Sequence, residues 1–477
     1  MSEQPRTRQE LYDRIRQVGR EEFILEEMIR YGFWPAQGEI PEDPADEIRR
    51  RGELQRELSK LRAENNVLHN EEALRKRLLQ ERLAKSRQKR QETKERREKE
   101  KQQRADAWRE KKEQEISYLG EGVSAGLNYT DCNEERLQSY GLPICGKTEE
   151  IATIMGITVG QLRFLAFSRK TSTISHYIRF KIPKKTGGER LISAPMPRLK
   201  NSQHWILVNI LEKLELHDTA HGFRRDRSIV SNAQPHVGSD VIINFDLKDF
   251  FPSISYKRVK GLFHSFGYSE AAATIFGLLC TEPEIAEVEL DGKTYYVAIS
   301  DSEALLRSAD RHLPQGSPAS PAITNLLCRR LDRRLSQMAE NLGFVYTRYA
   351  DDLTFSGSGD SLRHICNILR RTESIVTHEG FAINKEKTRI LRKNRQQEVT
   401  GVVVNERPTI AKKELKRFRA TLYQIEKDGL EGKRWGNSHD VIASIQGYAN
   451  FVAMVNPEKG AEFQEQVQRI KERYACL

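Results

Sequence analysis

The chain has 477 residues, with Lys+Arg 79 against Asp+Glu 68 and a formal net charge of +11. That length allows roughly two or three domains and a sizeable core, which excludes a peptide or mini-protein. The excess of cations favours a polyanionic partner and is concentrated in residues 71–115, which hold 17 Lys or Arg against 11 Asp or Glu. Six cysteines (Cys132, Cys145, Cys280, Cys328, Cys366, Cys476) form no C-x-x-C pair, which argues against a zinc knuckle or a disulfide framework and fits a reducing compartment. The opening MSEQPRTRQE has no apolar signal core, and no run approaches the ~18 apolar residues that span a bilayer. The expectation is a cytoplasmic protein with no membrane partner.

In chain order, Leu11, Ile15, Val18, Phe23, Ile24 and Met28 suggest a small docking helix before the turn-rich WPAQGEIPEDP. From Glu53 to Leu119 there is neither Gly nor Pro, so a single helix of about 100 Å is expected. Leu54, Leu58, Leu61, Asn65 and Leu68 follow 4-3-4-3 spacing, which leaves two readings: a short coiled coil that self-associates, or a solvated single helix. Residues 120–147 read as a linker. TEEIATIMGITVGQLRFLAF predicts two short helices around Gly156, either a packing unit or a helix-turn-helix. YIRFKIPKKTGGERLISAP predicts a β-hairpin closed by Gly-Gly. Beyond it come a helix over 204–216, a strand over 241–245, helices over 256–266 and 319–341, a hairpin around Ala350-Asp351, and a helix over 362–379. After Asn405 the pattern is helical to the end. Interleaved strands and helices give an α+β class.

The strand VIINFDLKDFFPS ends its apolar run in Asp246, and VYTRYADDLTFS places Asp351 and Asp352 at a tight turn between apolar strands. Adjacent carboxylates repel unless a cation lies between them. Three on two strand ends ask for divalent metal, and paired Mg²⁺ ions about 3.5–4 Å apart activate an attacking hydroxyl and stabilise a leaving oxygen. Between the two acidic elements lies LPQGSPASP (Leu313–Pro321), where Gly316 permits close backbone approach.

DLKDFFPS, PQGSPASP and YADD, in that order, resemble the palm of reverse transcriptases. SNAQPH (Ser231–His236) and VTGVVVN (Val399–Asn405) resemble the Asn-Ala-x-x-His and Val-Thr-Gly elements of the bacterial retron enzymes, and the charged amino-terminal extension is similar to that of their larger, myxobacterial type. Asp226 stands where that family has Gly. The 72 residues after Asn405 suit a thumb alone, which favours the retron reading over an intron-encoded enzyme.

The resemblance implies a right-hand polymerase of fingers, palm and helical thumb behind a long helical, possibly coiled-coil arm. Its expected boundaries are 1–119 (helical extension), 120–147 (linker), 148–240 (fingers and palm entry), 241–405 (palm) and 406–477 (thumb). Asp246, Asp351, Asp352 and the Leu247 carbonyl are implied as ligands of two Mg²⁺ ions. Phe251 is implied beneath the sugar, excluding a 2′-hydroxyl so that dNTPs are the substrate. Lys184, Lys185 and Arg190 are implied at the triphosphate, Gln315 and Gly316 at the nucleotide or template, and Lys387 at the leaving pyrophosphate, with solvated charge as the alternative for the lysines. Asn232, His236, Thr400 and Gly401 are implied as RNA contacts, against a structural His and a hairpin cap. The implied function is copying of a cognate structured noncoding RNA into multicopy single-stranded DNA joined to RNA by a 2′,5′ branch from an internal guanosine, in antiphage defence with an effector protein. The alternatives are an intron-like or diversity-generating reverse transcriptase, or a non-catalytic RNA-binding scaffold.

Overall fold

The computed structural model describes residues 7–34, 44–120, 122–167, 175–184, 187–290, 293–298, 311–436 and 440–475. Two compact units are formed, Met1–Trp108 and Arg109–Leu477. No helix among the described residues is long and apolar enough to cross a membrane.

The first unit is helical. Thr7 and Glu10 form a capping box that starts the helix Arg8–Val18, and Gly19 separates it from Arg20–Arg30. Glu22 pairs with Arg56 at 3.0 Å, which fastens this second helix to the third, Pro44–His69. The single helix expected over 53–119 is instead two, Pro44–His69 and Glu71–Gln114. The interruption is Asn70, whose side-chain oxygen accepts from the Ala73 N–H at 3.2 Å and so caps the longer helix. Leu54, Leu58, Leu61 and Leu68 are all exposed.

The second unit is built on a four-stranded antiparallel sheet in the order Arg389–Arg392, Val241–Asp246, Asp352–Gly357, Phe344–Tyr349. Val241, Ile242, Ile243 and Phe245 of the strand Val241–Asp246 are all buried because both its faces are covered. Ile243 and Phe245 enter the main core with the helices Tyr256–Ser265, Glu270–Cys280, Arg329–Asn341 and Ile365–His378. Ile242 points the other way, into a second core formed by Lys412–Asp428, Val441–Val455 and Pro457–Ala475 around Phe418. Glu270–Cys280 was not legible as a helix, since ten of its eleven residues are buried and it carries no polar stripe.

The hairpin is present as Tyr177–Pro183 paired with Glu189–Pro195. Thr148–Met155 and Val159–Ala166 are the two short helices, with Gly156 ending the first. The segment 120–147, expected as a linker, is corrected: Val123, Leu127, Leu137, Leu142 and Cys145 are buried in the main core, and Glu134–Ser139 is a helical turn. Glycine and asparagine there mark turns of a packed segment. Cys328 divides the helix expected over 319–341 into Ser320–Leu327 and Arg329–Asn341.

Candidate active site

Register brings the acidic residues together. Asp246 lies directly opposite Asp352 across the antiparallel pair, where facing side chains on one face are neighbours. Asp351 occupies the turn, and its carbonyl accepts the Leu247 N–H at 3.0 Å, which ties the end of the central strand to the turn. Lys387 closes the third side: its Nζ donates to both Asp246 oxygens, at 3.0 and 3.1 Å.

The electrostatics show a site short of positive charge. Loss of solvation, and then the charge of Asp246, push the Asp351 carboxyl up, against the lowering influence of Arg190 and Lys387. Loss of solvation followed by the charges of Asp351 and Asp246 pushes Asp352 up to about 7. Among the described residues no group of three or more His, Cys, Asp or Glu side chains is arranged to hold a metal ion. Asp246, Asp351 and Asp352 nevertheless carry unmet negative charge on oxygen donors, the donor chemistry that a hard divalent cation takes together with water and phosphate oxygens.

What fixes the turn is a buried cation. Arg348 and Asp332, both fully buried, form a fork of two 2.7 Å bonds from Nε and Nη2, and Tyr346 donates to the same carboxylate at 2.9 Å. The remaining nitrogen, Nη1, donates to the Ala350 carbonyl at 3.1 Å and to Asn325 Oδ1 at 2.9 Å. Asn325 in turn donates to the Gly222 carbonyl at 2.8 Å. Ala350 therefore holds φ +56°, unusual for a residue with a Cβ, because its carbonyl is pinned. Gly222 must be glycine, since a Cβ there would lie 2.6 Å from the Ala350 nitrogen. Sequence reading missed Arg348, Asp332, Asn325 and Gly222. The available signal was an arginine at an inward phase of the strand Phe344–Tyr349, in line with Phe344 and Tyr346.

Phe251 is half-buried, with its ring 6.4 Å from Phe223, whose ring is 6.5 Å from Tyr349. These three rings put an apolar wall beside the acidic turn. Gln315 and Gly316 are laced to the hairpin: the Gln315 carbonyl accepts the Ser193 N–H at 2.8 Å. Gly316 has φ +127°, and a Cβ there would meet the Ser193 carbonyl at 2.9 Å. Arg190 is exposed on that hairpin, opposite Ile182, and acts electrostatically on Asp351. Lys184 is exposed at the hairpin end, and Lys185 lies outside the described residues.

The expected RNA contacts at Asn232 and His236 are corrected. Both side chains are fully buried. His236 Nδ1 pairs with Ser356 Oγ and Nε2 with Thr347 Oγ1, each at 2.7 Å, so the ring spans both strands of the acidic hairpin. Asn232 donates to Thr400 Oγ1 at 3.5 Å, and that hydroxyl donates to the Ile229 carbonyl at 3.4 Å. The two short motifs thus bind each other and brace the back of the hairpin. Thr400 is half-buried and Gly401 exposed. Asp226, where the resemblance calls for Gly, has φ +59°, a left-handed backbone that glycine adopts freely and Asp tolerates better than most.

The family described as reverse transcriptase (RNA-dependent DNA polymerase) matches residues 182–404. The retron Mx162 reverse transcriptase of Myxococcus xanthus is 38% identical over 404 residues, covering 76% of this chain and 80% of that one. The retron Mx65 reverse transcriptase of the same organism is 40% identical over 355 residues, covering 74% and 79%. The retron Ec86 reverse transcriptase of Escherichia coli is 31% identical over 343 residues, covering 72% and 95%. Such identity, sustained through four fifths of a relative's length, places the chain in the retron reverse transcriptases, which are RNA-directed DNA polymerases.

Proposed function

We propose that this polymerase copies part of its own structured noncoding RNA, beginning from the 2′-hydroxyl of an internal guanosine, so that the DNA product stays joined to RNA by a 2′,5′ branch. The observation that carries the polymerase chemistry is the register Asp246–Asp352, with Asp351 at the turn and Lys387 on Asp246. The branch, the antiphage role and an effector partner rest on the family resemblance alone.

Asp246, Asp351, Asp352 and the Leu247 carbonyl would hold two Mg²⁺ ions. When bound, these supply charge neutralisation for in-line attack on the α-phosphate. The chain's own residues do the rest. Arg348 and Asn325 keep the turn in one geometry, so little reorganisation accompanies reaction. Arg190 and Lys184 offer cations to the triphosphate. Lys387, held at the edge of the acidic trio by its bonds to Asp246, would offer a cation to the departing pyrophosphate. Phe251 presents carbon, with no hydrogen-bonding group, where a 2′-hydroxyl would lie, which selects dNTPs.

Two measurements test the reading. Asp351→Asn or Asp352→Asn is expected to lower dNTP incorporation by on the order of 10²–10³ while RNA binding persists. Nucleic acid copurifying with the wild-type protein is expected to contain an RNA-DNA molecule that a debranching enzyme resolves. Copurified RNA with no DNA attached through a 2′ linkage would remove the branching claim and leave the polymerase.

A further inference from the structure

The helix Glu71–Gln114 is polar all round, yet its charges are sorted. Arg90, Lys94, Arg97, Lys101 and Arg104 follow 4-3-4-3 spacing, which on a helix of 3.6 residues per turn sets all five on one face over about 21 Å. Trp108, four residues further on, continues the row and is 63% exposed. The opposite face carries Gln88, Gln91, Glu92, Glu95, Gln102 and Asp106. There the carboxylates are already taken: Gln88 donates to Glu92 at 3.0 Å, Gln91 to Glu95 at 3.2 Å and Gln102 to Asp106 at 3.3 Å.

Ion pairing separates this row from the rest of the helix. Arg75 pairs with Glu71, Arg77 with Glu81 and Arg96 with Glu100, each one turn apart. None of the five cations in the row has a carboxylate within 4.0 Å among the described residues. A helix designed only to stay soluble would use those charges in pairs along its own surface. A row of unpaired cations is instead complementary to a line of phosphates, and an exposed indole offers a face on which an unpaired base stacks. A protein partner is disfavoured because the row holds no aliphatic or aromatic anchor before Trp108. A second copy of the helix is disfavoured because Glu92, Glu95 and Asp106, the carboxylates of the face opposite the row, are engaged by glutamines.

We propose that this face docks the phosphate backbone of the structured RNA that the enzyme copies, with Trp108 stacking on an unpaired base at the end of the row. The proposal rests on the function proposed above. The test uses the full chain and a short fluorescein-labelled RNA hairpin with a single-stranded flank, titrated between about 50 and 200 mM salt. Replacing all five cations by Gln, a good helix former, is expected to weaken binding about tenfold or more at the low-salt end. The slope of log K against log salt should become shallower by about 4. Replacing all five by Lys should keep the affinity, because phosphate attraction needs charge alone. RNA is also expected to quench tryptophan fluorescence in the wild type and not in Trp108→Phe, a readout independent of the Gln variant's folding.

Glu92→Gln with Glu95→Gln, on the other face, should leave affinity undiminished. Unchanged affinity and slope in the five-Gln variant overturns the proposal, as does a concentration-dependent dimer of the wild type that the five substitutions dissolve. Primer extension by the wild-type protein with dNTPs is run alongside. If that fails, the polymerase reading is at fault; if it succeeds while the Gln variant binds normally, only the docking face is.

Discussion

At the scale of single residues, the site depends on groups that never reach substrate. Arg348 is a charge at zero exposure whose desolvation is met by a bidentate carboxylate and two carbonyl oxygens. Removing one partner of such a pair costs about 3–5 kcal/mol, so Arg348→Ala is expected to melt well below the wild type. Arg348→Lys is more informative. It keeps a cation near Asp332 but cannot fork to Asp332, Asn325 and Ala350 together, so it should fold, with dNTP turnover lowered more than the KM for dNTP is raised. Parallel melting and steady-state measurements check this; a normal turnover number would show the turn holds itself. Phe251 lies in the aromatic wall beside the same turn, its ring 6.4 Å from Phe223. Phe251→Ala is expected to raise ribonucleotide incorporation relative to dNTP by about 10–100-fold, the scale at which pocket shape discriminates. Primer extension with each nucleotide type measures it, and unchanged sugar discrimination would place the gate elsewhere.

At the scale of elements, the hairpin Phe344–Tyr349/Asp352–Gly357 is held from behind by His236. Burial lowers this imidazole to about 3, so it is neutral in the folded protein, with one nitrogen donating and the other accepting. The ordinary value near 6.5 applies to the unfolded chain, which therefore binds more protons between these limits. Stability from His236 is complete above about pH 6.5 and is lost as pH falls toward 3. His221, lowered by burial to about 4, acts in the same direction. His236→Gln is expected to be less stable than wild type at pH 7, but with a shallower decline in melting temperature from pH 6.5 to 4.5. Equal slopes would mean other groups set the acid limit.

For the whole molecule, function and stability oppose each other at the acidic turn. Lost solvation and the charges of Asp351 and Asp246 push Asp352 up to about 7; because the residue keeps an exposed face, the repulsion of its charged form by these neighbours is only partly screened. Without divalent metal, Asp352→Asn should raise the melting temperature slightly. Millimolar Mg²⁺ should raise that of the wild type, because a ligand of the native state stabilises it by mass action, and should do so much less for the variant. Thermal melts with Mg²⁺ and with EDTA decide it. No response of the wild type to Mg²⁺ would deny the metal site.

The sequence by itself determined the family and with it the polymerase activity. Asp246, Asp351 and Asp352 stood out because carboxylates at the ends of apolar strands are costly, and the order of DLKDFFPS, PQGSPASP and YADD placed the chain in its family. Hairpins and amphipathic helices were legible because each buries one face and leaves a period behind. Tertiary structure alone decided the rest. That His236 and Asn232 turn inward, that residues 120–147 enter the core and that the Arg348 fork ties the acidic turn to Asp332 and Asn325 depend on residues far apart in the chain. A polar side chain reads the same in a sequence whether water or a buried hydroxyl satisfies it, and only the packed fold supplies the partner that tells them apart.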